Sequence, residues 1–310
     1  MWRRNKGVGD RFDPLSGGES PGHRSRNKGN GGHFDPFPRR WWADEKQQPK
    51  TVFFRYLAVI AACLGGGIAL FFLVGSSETK NSLTDKAFIR SANNRDIEKA
   101  IKNGADVNGR NRDGYSPLML AAIVRTDLRA FESLVKNGAD INGRNKSGMT
   151  PLMVAARHNS NPEILRFLID KGARVNALTP DRETPLMFAA WENTEQVVKT
   201  LIEQGANVRA VDSVGETALM KASWNNERKE VIVTLVEAGA DVNATGLDGR
   251  TSLIKAAWNN KNPEVVIELI KNGANTNKTD KNGKKPIELL LENEHLKDTK
   301  AYWELKQLDY

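Results

Sequence analysis

The sequence predicts an all-α solenoid of stacked helix-turn-helix units with short β-hairpin fingers, preceded by one transmembrane helix and a disordered N-terminal tail. Three observations carry this prediction. A Gly-Ala pair recurs at 104–105, 138–139, 172–173, 205–206, 239–240 and 273–274, in steps of 34, 34, 33, 34 and 34 residues. A second marker keeps the same beat: Ser116-Pro117-Leu118-Met119, Thr150-Pro151-Leu152-Met153, Thr184-Pro185-Leu186-Met187, Thr217-Ala218-Leu219-Met220 and Thr251-Ser252-Leu253-Ile254. A fixed period of this length is the mark of a repeat architecture. Third, residues 56–74 run for 19 positions without a charge, directly after a polar stretch.

Composition removes several function classes. The chain has 310 residues and a net charge of +8. Residues 1–50 hold 11 Lys and Arg against 6 Asp and Glu, whereas residues 81–310 carry an excess of only two positive charges. Basicity is therefore mainly a property of the tail, which argues against a nucleic-acid-binding globular domain. The single cysteine, Cys63, excludes an intramolecular disulfide framework and a zinc site built on several cysteines. His23, His33, His158 and His295 lie far apart, so no metal motif is expected. No nucleophile–base pair or phosphate loop emerges, and Gly65-Gly66-Gly67 lies inside the apolar run. The expectation is a protein that is not an enzyme and needs no cofactor.

The tail, residues 1–50, is rich in Gly, Arg, Asn, Asp and Pro and lacks apolar periodicity. Such a segment cannot bury enough surface to offset its chain entropy. It holds an internal duplication: Arg4-Asn5-Lys6-Gly7-x-Gly9-x-x-Phe12-Asp13-Pro14 recurs as Arg26-Asn27-Lys28-Gly29-x-Gly31-x-x-Phe34-Asp35-Pro36. One reading is a tandem duplication in drifting low-complexity sequence. The other is a bivalent docking peptide with Phe12 and Phe34 as anchors, Asp13-Pro14 and Asp35-Pro36 fixing the turn, and two linked copies gaining avidity. Trp41-Trp42, after Arg39-Arg40, suits the membrane interface.

Residues 52–74 read as a signal-anchor helix. At ~1.5 Å per residue the uncharged run spans roughly 28 Å, close to the ~30 Å hydrocarbon core. Residues 36–55 carry five Lys or Arg and residues 76–95 carry four, which favours a cytoplasmic N-terminus. The C-terminal domain then lies outside, in the periplasm of a bacterium; the opposite topology leaves it cytoplasmic. Ala58, Ala62 and Gly66 recur every four residues and offer a close-packed face for a homodimer. Ile60-Ala61-Ala62-Cys63 also resembles a bacterial lipobox, and lipidation at Cys63 is the competing anchor.

Residues 81–310 divide into an N-terminal cap at 84–111, five repeats at 112–145, 146–179, 180–212, 213–246 and 247–280, and a C-terminal cap at 281–310. In each repeat Ser or Thr is placed to cap an inner helix, with Pro at its first position. A small pair follows, from Ala121-Ala122 to Ala256-Ala257, and lets neighbouring helices approach. A second amphipathic helix, such as 264–272, ends on the Gly of Gly-Ala in the left-handed cap conformation. Asp113-Gly114, Asp248-Gly249 and Asn282-Gly283 then turn a hairpin. No unit buries its own apolar face, so stacking supplies the core.

This pattern closely resembles the ankyrin repeat, through Thr-Pro-Leu-x-x-Ala-Ala and Gly-Ala-x-x-Asn together. The resemblance covers nearly all of the last 230 residues and implies a protein-binding module. Two departures stand out. Met119, Met153, Met187, Met220 and Ile254 hold a position usually given to His, and Arg209 replaces the usual Asn after Gly205-Ala206, putting that turn in doubt.

The residue after each small pair is Ile123, Arg157, Trp191, Trp224 or Trp258, and two positions on come Arg125, Asn159, Asn193, Asn226 and Asn260. The resemblance implies that this end of the inner helix faces a concave groove. The expected site is therefore Trp191, Trp224 and Trp258 as a ladder spaced by about 10 Å, with Asn159, Asn193, Asn226, Asn260 and Arg157 meeting the backbone of a protein partner or extended peptide. The competing reading has the Trp packed under the fingers and the Asn capping helix ends. The fingertips also shift in charge, from Arg110, Arg112, Arg144, Lys146 and Arg182 to Asp212, Asp248 and Asp280. That shift could orient a dipolar partner, and ordinary surface solvation explains it equally well. The function expected is a membrane-tethered protein-interaction module; the alternative is a scaffold that self-associates through the span.

Overall fold

The computed structural model describes residues 82–308. The duplicated tail motif with Phe12 and Phe34, the apolar run 52–74, Ala58, Ala62, Gly66 and Cys63 lie outside the described residues. Among the described residues no helix is long and apolar enough to cross a membrane.

After a 3-10 turn at Ser82–Thr84, the helices among the described residues come in seven pairs. The first helices of the pairs are α1 (Lys86–Ser91), α3 (Pro117–Val124), α5 (Pro151–His158), α7 (Pro185–Glu192), α9 (Ala218–Asn225), α11 (Ser252–Asn259) and α13 (Pro286–Glu292). The second helices are α2 (Asn94–Lys102), α4 (Leu128–Lys136), α6 (Pro162–Asp170), α8 (Glu195–Glu203), α10 (Lys229–Glu237), α12 (Pro263–Lys271) and α14 (Lys300–Leu308). First helices pack on first helices and second on second, each pair leaning on its neighbours. The small pairs make this approach possible: Ala121, Ala122, Ala155, Ala156, Ala189, Ala190, Ala222, Ser223, Ala256 and Ala257 are all fully buried.

The helix starts are built as the sequence expects. The hydroxyls of Ser116, Thr150, Thr184, Thr217 and Thr251 each accept from the backbone N–H three residues on, at 3.2–3.4 Å. Each such cap stabilises its helix by about 1 kcal/mol. In two repeats the methionine completes the reciprocal half: the N–H of Thr150 and of Thr184 donates to Sδ of Met153 and Met187, at 3.3 and 3.5 Å. Met119, Met153, Met187 and Met220 are buried core residues, so this column, usually given to His, serves packing and capping here. At the other end of the pair Gly104, with φ 88°, closes the helix. Its N–H bonds to Ile101 O, and the N–H of Ala105 bonds back to Ala100 O at 3.0 Å.

The fingers differ from expectation. No strand forms among the described residues. In the finger at 111–115 the N–H of Asn111 donates to Tyr115 O and that of Gly114 to Asn111 O. A single backbone bond, Lys146 N–H to Asp113 O at 3.3 Å, ties this finger to the next. At most one backbone link per repeat is too sparse for a ladder, so the β-hairpins reduce to tight turns. Their geometry still needs glycine: at Gly114 a Cβ would meet Lys146 N at 2.8 Å. The finger at 178–182 has Arg182 there instead, with φ 62°.

Candidate partner-binding face

Two rows of side-chain amides bolt the repeats together. In the first row Asn108, Asn142, Asn176 and Asn243 donate to the carbonyls of Gly138, Gly172, Gly205 and Gly273, each at 2.9 Å. Each Oδ1 accepts from an N–H two residues beyond that glycine, for example Arg174 at 3.0 Å. Arg209 fits the row after all. Its Nε donates to Gly239 O at 3.0 Å, while its guanidinium has no acceptor to offer in return.

The second row contains the asparagines of the expected groove. Asn159 donates to Ala122 O and Arg125 O. Asn193 donates to Ala156 O and Asn159 O, at 2.8 and 3.0 Å. Asn226 donates to Ala190 O and Asn193 O, and Asn260 to Ser223 O and Asn226 O. Asn293 continues the row to Ala257 O and Asn260 O. Arg125 begins it, with Nη1 on Ala92 O at 2.7 Å. All four predicted asparagines are buried. Their two amide protons cap the carbonyl end of the preceding inner helix, and their Oδ1 atoms accept local N–H groups. The structure thus gives them to inter-repeat capping, a role sequence spacing alone does not separate from peptide recognition. Arg157 is likewise occupied within the array, its Nε donating to Glu192 Oε1 at 3.0 Å.

The tryptophans are graded rather than equivalent. Trp191 and Trp224 are only 8% exposed, and Trp258 is half-buried. Trp224 and Trp258 meet edge to face with centroids 4.9 Å apart and planes at 85°, closer than the expected 10 Å ladder. T-shaped contact satisfies the ring quadrupoles. The guanidinium of Arg250 lies 3.9 Å from the Trp258 ring centroid, and Lys255 Nζ lies 5.4 Å from that of Trp224.

Around these rings runs an ion network that the sequence reading overlooks. Lys221, 3% exposed, lies 2.8 Å from Asp212, 3.0 Å from Glu216 and 3.4 Å from Glu183. Lys255 bonds the other oxygen of Glu216 and lies 3.7 Å from Asp248. Arg250 reaches Asp248 at 3.3 Å and Asp280 at 3.6 Å. Burial raises the Glu183 carboxyl above its ordinary range, opposed in part by Lys221. For Glu216 burial acts in the same upward sense, but Lys221 and Lys255 together override it and hold the group below its ordinary range. Lys221 is desolvated too, yet its carboxylates win and push its ammonium up. The signal in the sequence is a break in a column: Lys221 and Lys255 follow Leu120, Val154 and Phe188 at the same repeat position.

Two family models described as ankyrin repeats match, one of three copies over residues 86–179 and 161–246 and one of many copies over 235–290. The chain belongs to the ankyrin-repeat family. Comparison with curated proteins gives no match. Ankyrin repeats in general mediate protein–protein interaction, and that general role is the one membership carries.

Proposed function

We propose that the protein is a membrane-tethered interaction module whose ankyrin array holds a partner protein or extended peptide against the concave face of α7, α9 and α11. The observation that carries this reading is Trp258, half-buried at the end of the inner row between Trp224 and the Arg250 guanidinium. A large aromatic ring left partly open among charged side chains is the kind of anchor that dominates protein interfaces. The membrane tether rests on the uncharged run 56–74 and its flanking charges. With the N-terminus cytoplasmic, the array lies on the far side of the membrane.

The test is partner capture by the full-length chain in its native membrane. Trp258→Ala is expected to lose the partner by more than about tenfold, as for a hot-spot residue. The same substitution leaves the helical signal intact, because Trp258 is the most open of the three rings. Capture undiminished in that variant would end the concave-face reading. Protease access to the array from each side of the membrane fixes topology. Release of the chain by high salt would exclude a membrane tether altogether, and lipid labelling lost in Cys63→Ala would replace the span by a lipid anchor.

A further inference from the structure

The surface chemistry of the fingers changes partway along the array. The fingers at 110–114, 144–148 and 178–182 carry Arg110, Arg112, Arg144, Lys146 and Arg182 against Asp113 and Asp181, and all five cations are exposed. The sequence suggests that later fingertips answer with acid. The structure removes two of those three acids from the surface. Asp212 and Asp280 are buried, and each folds its own finger through Oδ1 while the second oxygen faces Lys221 or Arg250. Asp248 is paired with Arg250.

The later fingers present apolar side chains to solvent instead. Leu178 is 41% exposed, Val211 44%, Val214 50% and Leu247 64%. These lie on three consecutive fingers. The N–H of Leu247 bonds to Val214 O at 2.9 Å, so those two adjoin. Arg144 Nη1 bonds to Leu178 O at 2.8 Å, so the basic part abuts the apolar part. The same repeat position holds Arg110 and Arg144 early and Leu178 and Val211 late. An exposed apolar cluster bordered by one sign of charge is the composition of an interaction surface.

We infer that this finger edge docks a partner segment that is acidic over one half and apolar over the other. The five cations steer the acidic half, while Leu178, Val211, Val214 and Leu247 supply apolar anchorage. Fingers one repeat apart are separated by about 10 Å. The edge from Arg112 to Leu247 therefore matches about twelve residues of extended chain at ~3.3 Å each. The site is separate from the Trp258 face and stands whether or not that face binds a partner.

The experiment selects a displayed random library of about 15-residue peptides, a length that covers the edge, on the full-length chain in detergent micelles. Enriched sequences are expected to pair an acidic run with apolar anchors. By fluorescence anisotropy, a selected peptide should lose at least about tenfold affinity on Val214→Asp with Leu247→Asp, and about fivefold on Arg144→Glu. Raised salt should weaken it, and Trp258→Ala should leave it within about twofold. Leu247→Ser, at an exposed position, keeps the test valid should the aspartates disturb folding. Absence of acidic-apolar enrichment, or binding insensitive to the finger substitutions, overturns the inference. So does binding lost only in Trp258→Ala. Self-association abolished by Leu247→Asp would assign the edge to a second copy. Binding of phosphatidylserine vesicles through the same residues would assign it to a bilayer. Either result also overturns the inference.

Discussion

The inner face of the array has two halves built on one backbone and filled with opposite chemistry. In the first half the column after each helix start is Leu120 and Val154, continued by Phe188, and the residues before the caps are Tyr115 and Met149. In the second half the same column holds Lys221 and Lys255, and the pre-cap residues are Glu183, Glu216 and Arg250. The finger residue explains how one scaffold supports both. Asn145 Oδ1 accepts from Ser147 and Met149, and Asp212 Oδ1 accepts from Val214 and Glu216 in the same way. Either side chain folds the turn. Only the carboxylate leaves a charged oxygen to meet the lysine of the inner helix that follows, as Asp212 meets Lys221. At Lys221 the finger acid supplies that oxygen, whereas Lys255, whose finger has Gly246 at the same position, draws on Glu216 and Asp248 instead.

Moving the lysine into the wrong half should produce the largest effect. Val154 is fully buried and has Met149 and Asn145 where the second half has carboxylates. Val154→Lys would bury an ammonium without partners, at a cost of roughly 4 kcal/mol. Urea denaturation followed by circular dichroism measures it. Adding Met149→Glu and Asn145→Asp should recover most of the loss, since those changes rebuild the pairing around Lys221. A Val154→Lys protein as stable as the parent would show that the column is wetter than its burial indicates, and the contrast between the halves would collapse.

Emptying the network tests the same contrast from the other side. Lys221→Met leaves Asp212, Glu216 and Glu183 crowded without their shared cation and should cost about 3 kcal/mol at neutral pH. The pH dependence has a defined sign. The folded-state pKa of Lys221 lies above its ordinary 10.5, so its contribution is complete below that pH and fades as pH rises beyond it. The parent should accordingly lose stability in strong alkali, and Lys221→Met should lose less. Acid is a poorer probe. Glu216, held down, gives up stability as pH falls through its folded pKa, whereas the raised Glu183 shifts stability the opposite way. If the alkaline loss were identical in parent and variant, Lys221 would not be the group responsible.

What the sequence disclosed follows the same division. The Gly-Ala beat, the Ser/Thr caps and the small pairs were legible because each acts within its own repeat or recurs in register. The asparagine row was visible as a pattern and ambiguous as chemistry. The partners of Asn226 are carbonyls 33 and 36 residues away, and a peptide backbone would demand the same side chain. Fingertip acid misled for a related reason: Asp212 occupies a turn in sequence and a buried ion pair in space. The fingers looked like hairpins because Asp-Gly and Asn-Gly favour them, but at most one backbone bond links each to its neighbour.

The smallest expected effect lies at the boundary between the halves. Arg182 sits where Gly114, Gly148, Gly215, Gly249 and Gly283 sit in the other fingers, and adopts φ 62°. A side chain held in the left-handed region costs on the order of 1 kcal/mol. Its guanidinium is exposed and makes no ion pair within 4 Å among the described residues, so little is lost with it. Arg182→Gly should therefore raise stability by about 0.5–1 kcal/mol, offset slightly by the greater freedom of glycine in the unfolded chain. The gain is measurable as a rise in urea midpoint at constant slope. Because Arg182 is also a basic fingertip on the finger that carries Leu178, the same variant separates stability from recognition. A stabilised protein that binds the acidic-apolar peptide less well would mean that the strained arginine is kept for the partner. A stabilised protein that binds it equally would leave steering to Arg112, Arg144 and Lys146.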